Sequence, residues 1–211
     1  MKEHPILMTT DMVKAILDNL KSMTRRTYGL EKVNKNPDEW EYKGIEDLAP
    51  RNIHLFKHMP TDSFLNIKCP YGQVGDILWC KETWYPNPAT CTPIYKADYP
   101  LEEKPQVWSA DAKWRPSIFM PRWASRIDSE ITDIRVEKLQ DITEEDAVKE
   151  GCIAHHIHIV EGILVNSSIG RMDYITAREN YKNLWNSING QKYPWSSNPW
   201  VWPIEFRRIK P

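Results

Sequence analysis

Short apolar runs with strand character outnumber helical patterns in this sequence, and no regular alternation of strand and helix recurs along it. This pattern favours an α+β fold over a parallel α/β fold, which needs a helix between successive strands. Strands are predicted at residues 5–8, 77–80, 118–120, 127–136, 153–165 (as a hairpin) and 200–207. We therefore predict an α+β fold, with a curled antiparallel sheet and two or three helices packed at its ends.

Three segments have the periodicity or the capping residues of helices. The first is capped by Thr10 or Asp11 and places these apolar residues on one face: Val13, Ile16, Leu17 and Leu20. The second begins after Thr143, in near capping-box form, and ends at Gly151. The third ends at Asn189-Gly190 and has this apolar face: Tyr174, Ala177, Tyr181, Leu184, Trp185 and Ile188.

The sequence also predicts local irregularities in the strands and the turns between them. A change of alternation phase predicts a β-bulge near Thr132-Asp133. Pro203 predicts that the last strand lies at a sheet edge or contains a bulge. Gly72 and Gly75 indicate a tight turn. Six of the sixteen prolines lie between Tyr85 and Pro116, which predicts an insertion around residues 85–116.

The composition is that of one globular domain spanning residues 1–211. Lys plus Arg total 28 and Asp plus Glu total 29, which excludes a uniformly basic nucleic-acid coat but leaves room for a local patch. No apolar run approaches the roughly 20 residues of a transmembrane helix, and no secretory h-region follows the N-terminus. The four cysteines form no Cys-x-x-Cys pair, so we expect reduced thiols, two of them buried, in a cytoplasmic protein.

Ten tryptophans are candidates for either packing or base stacking. Five of them have neighbours that alternate as those of buried residues do, and we assign these five to the core: Trp79, Trp84, Trp185, Trp200 and Trp202. Trp123, with Trp108 or Trp114, is the better stacking candidate. Arg25, Arg26, Arg122 and Arg126 are the candidates for a local basic patch.

Metal binding is the weaker interpretation of a histidine cluster. His156 and His158 would share a strand face beside His155, but no further ligand is identifiable, so an exposed hairpin is favoured. No metal and no cofactor are predicted.

Four ordered segments resemble the ASCH family, a branch of the PUA-like β-barrels. They are the first helix running into residues 21–26, the strand start at 75–79, the segment 139–151, and the closing strand at 202–206. The chain, with its run at 120–126, is also similar to ASCH-type proteins of phages and prophages. The resemblance implies a small barrel with a positively charged cleft beside the first helix.

The same resemblance implies recognition of RNA or modified nucleosides. Small bacterial members remove the acetyl group from N4-acetylcytidine, and the residues implicated there match Lys21, Thr24 and Glu150. This chain is about twice as long as those enzymes, and it has Arg25 where they have an apolar residue.

Amide hydrolysis would use Thr24 as nucleophile, Lys21 as its base and Glu150 as acid/base or water-holding partner. Arg25, Arg26 and Trp123 would bind the substrate. Lys21 and Thr24 would converge if the first helix extended one more turn. The alternatives are cations that only complement the helix dipole, a solvated Glu150, and a non-catalytic RNA- or DNA-binding module. The expected partners are a nucleoside, a nucleobase or single-stranded RNA, with no membrane.

Overall fold

The structure is a computed structural model that describes residues 1–45, 53–87, 89–100, 113–160, 163–165 and 171–209, with the backbone alone over 155–174. The chain separates into two compact units. The first unit comprises Met1–Ser22, Cys69–Ile134 and Ile204–Pro211, and the second comprises Met23–Lys68 and Arg135–Pro203. The single domain over residues 1–211 stays a prediction.

The described helices and strands have the following bounds in chain order. The helices are α1 (Thr10–Leu17), α2 (Glu144–Lys149) and α3 (Ala177–Asn189). The strands are β1 (Glu3–Leu7), β2 (Met23–Arg26), β3 (Trp40–Ile45), β4 (Ile53–His58), β5 (Ser63–Lys68), β6 (Ile77–Lys81), β7 (Trp84–Pro86), β8 (Pro93–Tyr95), β9 (Asp128–Ile134), β10 (Glu137–Lys138), β11 (His155–Val160), β12 (Ile163–Val165), β13 (Arg171–Ile175) and β14 (Trp200–Arg208). The predicted α+β class is confirmed.

In the first unit the sheet has the order β1-β6-β9-β14. β1 is parallel to β6, whereas the other pairs are antiparallel, so the sheet is mixed rather than purely antiparallel as predicted. The pairing with β14 shifts between Ile131 and Asp133, which confirms the predicted bulge. The strand predicted at residues 118–120 is wrong, because Ser117–Phe119 form a 3₁₀ turn.

Helix α1 ends earlier than its apolar periodicity predicts. Its cap is Thr9, whose side chain accepts a hydrogen bond from the Met12 amide, so the cap predicted at Thr10 or Asp11 is wrong by one or two residues. The helix buries Val13 and Ile16. Its last residue is Leu17, because Asn19 takes a left-handed conformation at φ 58°. Leu20 is consequently exposed and outside the helix.

The Pro-rich segment contains a small hairpin of β7 and β8. Trp84 on β7 packs in a separate small core with Met120 and Ala124. Residue 88 and residues 101–112 lie outside the described chain, so the insertion around 85–116 stays a prediction.

In the second unit, β3, β4 and β5 form an antiparallel sheet in a region for which no strand is predicted. α2 and α3 pack around a core with Leu139, Tyr181, Trp185 and Val201. Thr143 caps α2 as predicted, and Thr176 with Glu179 forms a full capping box on α3. The hairpin predicted over residues 153–165 is confirmed in the backbone pairing of β11 with β12.

Strand β14 pairs with β2, β9 and β10, so of the two positions predicted from Pro203 the sheet edge is wrong. Its pairing with β9 does shift between Glu205 and Phe206, close to Pro203, which agrees with the bulge alternative. Its first half pairs with β10 and its second half with β9. Pro203 lies between Val201, paired with β10, and Ile204, paired with β9. Its carbonyl oxygen accepts a hydrogen bond from the Arg135 amide at 3.2 Å, whereas its nitrogen has no hydrogen to donate to the ladder.

Within the described residues, no helix has the length and apolarity needed to cross a membrane.

Candidate functional site

A cleft of about 690 Å³ in the first unit lies where the turn after α1 meets the end of β14. This volume is in the usual range for small-molecule sites, about 300–1,000 Å³. Its walls are formed by Ile16, Asn19, Lys21, Ser22, Thr132, Glu205, Phe206, Arg207, Arg208 and Ile209.

The cleft wall combines apolar side chains with an excess of positive charge. Lys21, Arg207 and Arg208 supply three cations, and Glu205 is the one carboxylate among the described lining residues. Ile16 and Phe206 contribute apolar surface. Such a wall suits a ligand that has a flat apolar part and an electron-rich or anionic part.

Arg208 is held at the C-terminal end of α1. Its guanidinium donates to the carbonyl oxygen of Leu17 and to Oδ1 of Asn19, each at 3.2 Å. These contacts satisfy a helix-end carbonyl and place a cation where the helix dipole is negative. Arg207 is more exposed, at 72%, and its Nη2 lies 2.7 Å from Oε2 of Glu130.

Lys21 is the one predicted catalytic residue that lines this cleft. It is only 3% exposed, because the chain turns inward directly after the exposed Leu20. Its backbone amide donates to the carbonyl oxygen of Ala15 at 3.0 Å, which ties the segment back to α1.

In the second unit, Arg25 lies at the centre of a buried ion cluster. Its Nη2 donates to Glu137 Oε1 and Asp146 Oδ2 at 2.7 Å each, and its Nη1 donates to Glu150 Oε1 at 3.3 Å. Arg135 also binds Glu137 and Asp146. Burial alone would lower the pKa of Arg25, but Glu150 and Glu137 outweigh burial and the pKa is raised.

This cluster corrects the role predicted for Arg25. The Arg25 side chain is 0% exposed and surrounded by carboxylates, so it acts as a structural cation rather than a substrate-binding one. Its ring neighbour Tyr181, with its centroid 5.8 Å away, has a pKa raised well above the usual value by burial. Glu150 is 4% exposed and is therefore not the solvated residue of the alternative interpretation.

The extra turn of α1 that would bring Lys21 and Thr24 together does not form. α1 ends at Leu17, and Thr24 lies in β2 with 1% exposure. Lys21 belongs to the first unit, and Thr24, Arg26 and Glu150 belong to the second. The structure brings Glu150 together with Arg25, a pair that the sequence did not predict.

The arginines predicted as a basic patch are largely paired. Arg122 binds Glu3 and Asp128, and Arg126 binds Glu82 and Asp98. These ion pairs join Arg122 and Arg126 to carboxylates of the first unit, and the patch that would combine them with Arg25 and Arg26 stays a prediction. Arg26 is half-buried at the end of β2.

The burial of the tryptophans agrees with the prediction at most of the described positions. Trp84, Trp185, Trp200 and Trp202 are buried, whereas Trp79 is half-buried. Trp123 is 66% exposed, as a stacking residue must be. Trp114 is half-buried, and Trp108 lies outside the described residues.

The thiols and the histidines give no metal site in the described chain. Cys69, Cys80 and Cys152 are buried and Cys91 is exposed, so three cysteines are buried rather than two. No group of three His, Cys, Asp or Glu side chains in the described part could hold a metal ion. The side chains of His155, His156 and His158 lie outside that part.

The lining residues Phe206, Arg207 and Arg208 were missed as site residues. The strand predicted at residues 200–207 includes Phe206 and Arg207 but not Arg208, and nothing in its alternation shows that it ends beside the turn after α1. A cationic pair at the end of a strand is the one local signal that was available.

Searches for related proteins found no match to a family model, to a curated protein or to a solved structure.

Proposed function

We propose that the protein recognises a nucleobase-containing ligand in the cleft beside α1, as a nucleoside-binding member of the ASCH family with a PUA-like barrel. The observation that carries the proposal is the wall of this cleft, where Lys21 and Arg208 lie beside the apolar Ile16 and Phe206. A base and its sugar present a flat apolar face and several hydrogen-bond acceptors, which this wall complements. The resemblance to ASCH proteins supports the same site, because it implies a positively charged cleft beside the first helix.

Binding is favoured over hydrolysis as the primary function. The hydrolytic proposal needs Thr24 as nucleophile, and Thr24 is 1% exposed in β2. It also needs Glu150 as acid/base partner, and Arg25 already holds that carboxylate. The hydrolysis of an N4-acylcytidine-like amide is kept as a second candidate because Lys21, its proposed base, lines the cleft.

Calorimetry with the full chain tests the binding proposal, using cytidine, cytidine 5′-monophosphate and N4-acetylcytidine as ligands. We expect Lys21→Met and Arg208→Gln to weaken binding by roughly 10-fold or more, because each removes a charged hydrogen-bond donor. Lys32→Gln is the matched control, since Lys32 is an exposed lysine outside the lining set. Binding that is absent in the wild type, or equal in all four proteins, would reject the proposal.

The same samples test the hydrolytic candidate by chromatography for released cytidine. Thr24→Val keeps the shape of the side chain but removes its hydroxyl, whereas Thr24→Ser keeps the hydroxyl. Hydrolysis requires turnover in the wild type and in Thr24→Ser, and its loss in Thr24→Val and Lys21→Met. Binding without turnover identifies a non-catalytic module.

A further inference from the structure

Strand β5 forms one edge of the β3-β4-β5 sheet in the second unit. Its six residues, Ser63–Lys68, pair with β4 without a register shift. Among the described strands, β4 is the only one that pairs with β5. Because the amide and carbonyl groups of a strand point to both of its sides, the side of β5 that faces away from β4 offers hydrogen-bonding groups to a further strand.

Two other edge strands of the described sheets are protected against such pairing, and β5 is not. β3 has a register shift before Gly44, and its Lys43 forms an ion pair with Glu41 at 2.6 Å. β1, the edge strand of the sheet in the first unit, contains Pro5. Bulges, charged side chains and proline all hinder the pairing of sheet edges. β5 contains neither proline nor glycine, and its register is regular.

The two faces of β5 differ in burial. Phe64 is 61% exposed and shares its face with Lys68, whereas Leu65 is half-buried on the other face. Leu65 lies opposite Phe56 of β4, whose ring meets that of Trp200 edge to face with centroids 5.5 Å apart. The buried face therefore fixes the sheet, and β5 needs no ordering before it binds another strand.

We propose that β5 pairs with β5 of a second copy of this chain, in antiparallel orientation about a twofold axis at Asn66. The pairing joins two three-stranded sheets into one sheet of six strands. In this register Phe64 lies opposite the partner's Lys68, and Leu65 lies opposite the partner's Ile67. Both copies use the same surface, so the contact closes at a dimer.

The sequence of β5 is complementary to itself in this register. The stem of the partner's Lys68 covers the exposed ring of Phe64, and its ammonium group is attracted to the ring face. The twofold axis repeats this contact at the other end of the interface. Lys68 is the one charged residue of β5, so no like charges lie directly opposite each other. A register centred on Leu65 would instead place Phe64 opposite the partner's Asn66.

Sedimentation velocity of the full chain from about 1 to about 300 µM tests the proposal, because interfaces of this small size are usually weak. We expect a monomer–dimer equilibrium in the wild type. Phe64→Lys should weaken it by roughly 10-fold or more, because a lysine then lies opposite the partner's Lys68 at both ends of the interface. Adding Lys68→Glu to Phe64→Lys should restore the dimer, because each lysine then lies opposite a glutamate. Ile45→Lys is the matched control, since Ile45 is a 46% exposed apolar residue on the other edge strand, β3.

Disulfide cross-linking tests the register. Cys91→Ser first removes the exposed thiol. In this background Asn66→Cys should form a disulfide between two chains under mild oxidation, because the twofold axis places its two copies directly opposite each other. Phe64→Cys should not cross-link, because its two copies lie opposite residue 68 and not opposite each other.

Four results would overturn the proposal. They are a monomer at every concentration, equal association of the wild type and Phe64→Lys, association that grows beyond the dimer, and a cross-link in Phe64→Cys but not in Asn66→Cys. A dimer that Ile45→Lys dissociates and Phe64→Lys does not would place the interface at β3 and would overturn it as well. None of these variants changes a residue that lines the α1 cleft, so failure of the cleft proposal is measured separately.

Discussion

Arg25 and Glu150 lie 125 positions apart in the chain and form a buried ion pair, with Nη1 of Arg25 3.3 Å from Oε1 of Glu150. The pair joins β2 to the C-terminal end of α2. Because Arg25 also binds Glu137 and Asp146, one cation pairs with three carboxylates, one on β10 and two on α2 and its C-terminal cap. Arg135 binds two of these carboxylates and Arg25 binds all three, so we expect Arg25 to contribute most to the stability of the cluster.

Replacing that guanidinium should destabilise the fold strongly. Arg25→Met leaves three carboxylates without their shared cation, and we expect a loss of about 3–5 kcal/mol in the free energy of unfolding. Glu150→Gln should cost about 1–2 kcal/mol, because the amide oxygen still accepts a hydrogen bond. Urea unfolding measures both, with the exposed Arg207→Met as control. A loss below about 1 kcal/mol for Arg25→Met contradicts the structural role.

Acid should destabilise the second unit through His54. Burial lowers the pKa of His54 from 6.5 to about 4, and the ring is only 1% exposed. The unfolded chain takes up this proton near pH 6.5 and the folded chain near pH 4, so the stabilisation present above pH 6.5 is lost as the pH falls between these values. We expect this residue to account for about 2 kcal/mol of the loss between neutral pH and pH 4.5.

Urea unfolding of the wild type and His54→Gln across this pH range measures the contribution. The Tyr42 hydroxyl hydrogen-bonds Nδ1 of His54 at 2.9 Å, and the Gln side chain retains a polar group for it. His58→Gln is the control, because His58 is more exposed. If the free energies of unfolding of the wild type and His54→Gln change with pH in parallel, the pKa of His54 is not lowered by folding as described.

Replacing each of two glycines in one turn by alanine should destabilise the protein by different amounts. Gly72 and Gly75 both have positive φ, 100° and 88°, so each alanine costs about 1 kcal/mol in backbone strain. A Cβ on Gly72 would also lie 2.6 Å from Nε2 of His4 and 2.9 Å from Oδ2 of Asp76, whereas a Cβ on Gly75 meets nothing within 4 Å. Gly72→Ala should therefore lower the melting temperature more than Gly75→Ala.

The double variant with His4→Ala identifies the cause. If the clash with the imidazole matters, His4→Ala should reduce the penalty of Gly72→Ala. Equal penalties for Gly72→Ala with and without His4→Ala would assign the whole effect to the backbone or to Asp76.

One thiol of the folded protein should react quickly. Cys91 is exposed, whereas Cys69, Cys80 and Cys152 are buried. Burial also raises the pKa of Cys69 to about 12, so little reactive thiolate forms there at neutral pH. Titration with a thiol reagent should give one fast thiol in the native protein and none in Cys91→Ser. Two or more fast thiols in the native wild type would contradict the burial of the other cysteines.

Patterns confined to a few neighbouring residues were predictable from the sequence. The cap of α2 at Thr143 and the bulge near Thr132 were predicted correctly, and the cap of α1 was placed within two residues of Thr9, because side-chain capping and strand alternation depend on local geometry. The end of α1 was missed because Asn19 adopts a left-handed conformation there. The β3-β4-β5 sheet was missed because its strands are stabilised mainly by pairing with one another.

For the candidate sites, too, some properties followed from the sequence and others only from the tertiary structure. The sequence by itself determined which residues bring charge, which bring aromatic rings, and where most of the helices begin. Only the tertiary structure decided that Arg25 is a buried structural cation, that Arg208 lies in the cleft wall with Lys21, and that Trp123 is exposed whereas its ring partner Trp84 is buried. The physical reason is that burial and ion pairing depend on residues far apart in the chain, whose proximity no local pattern encodes.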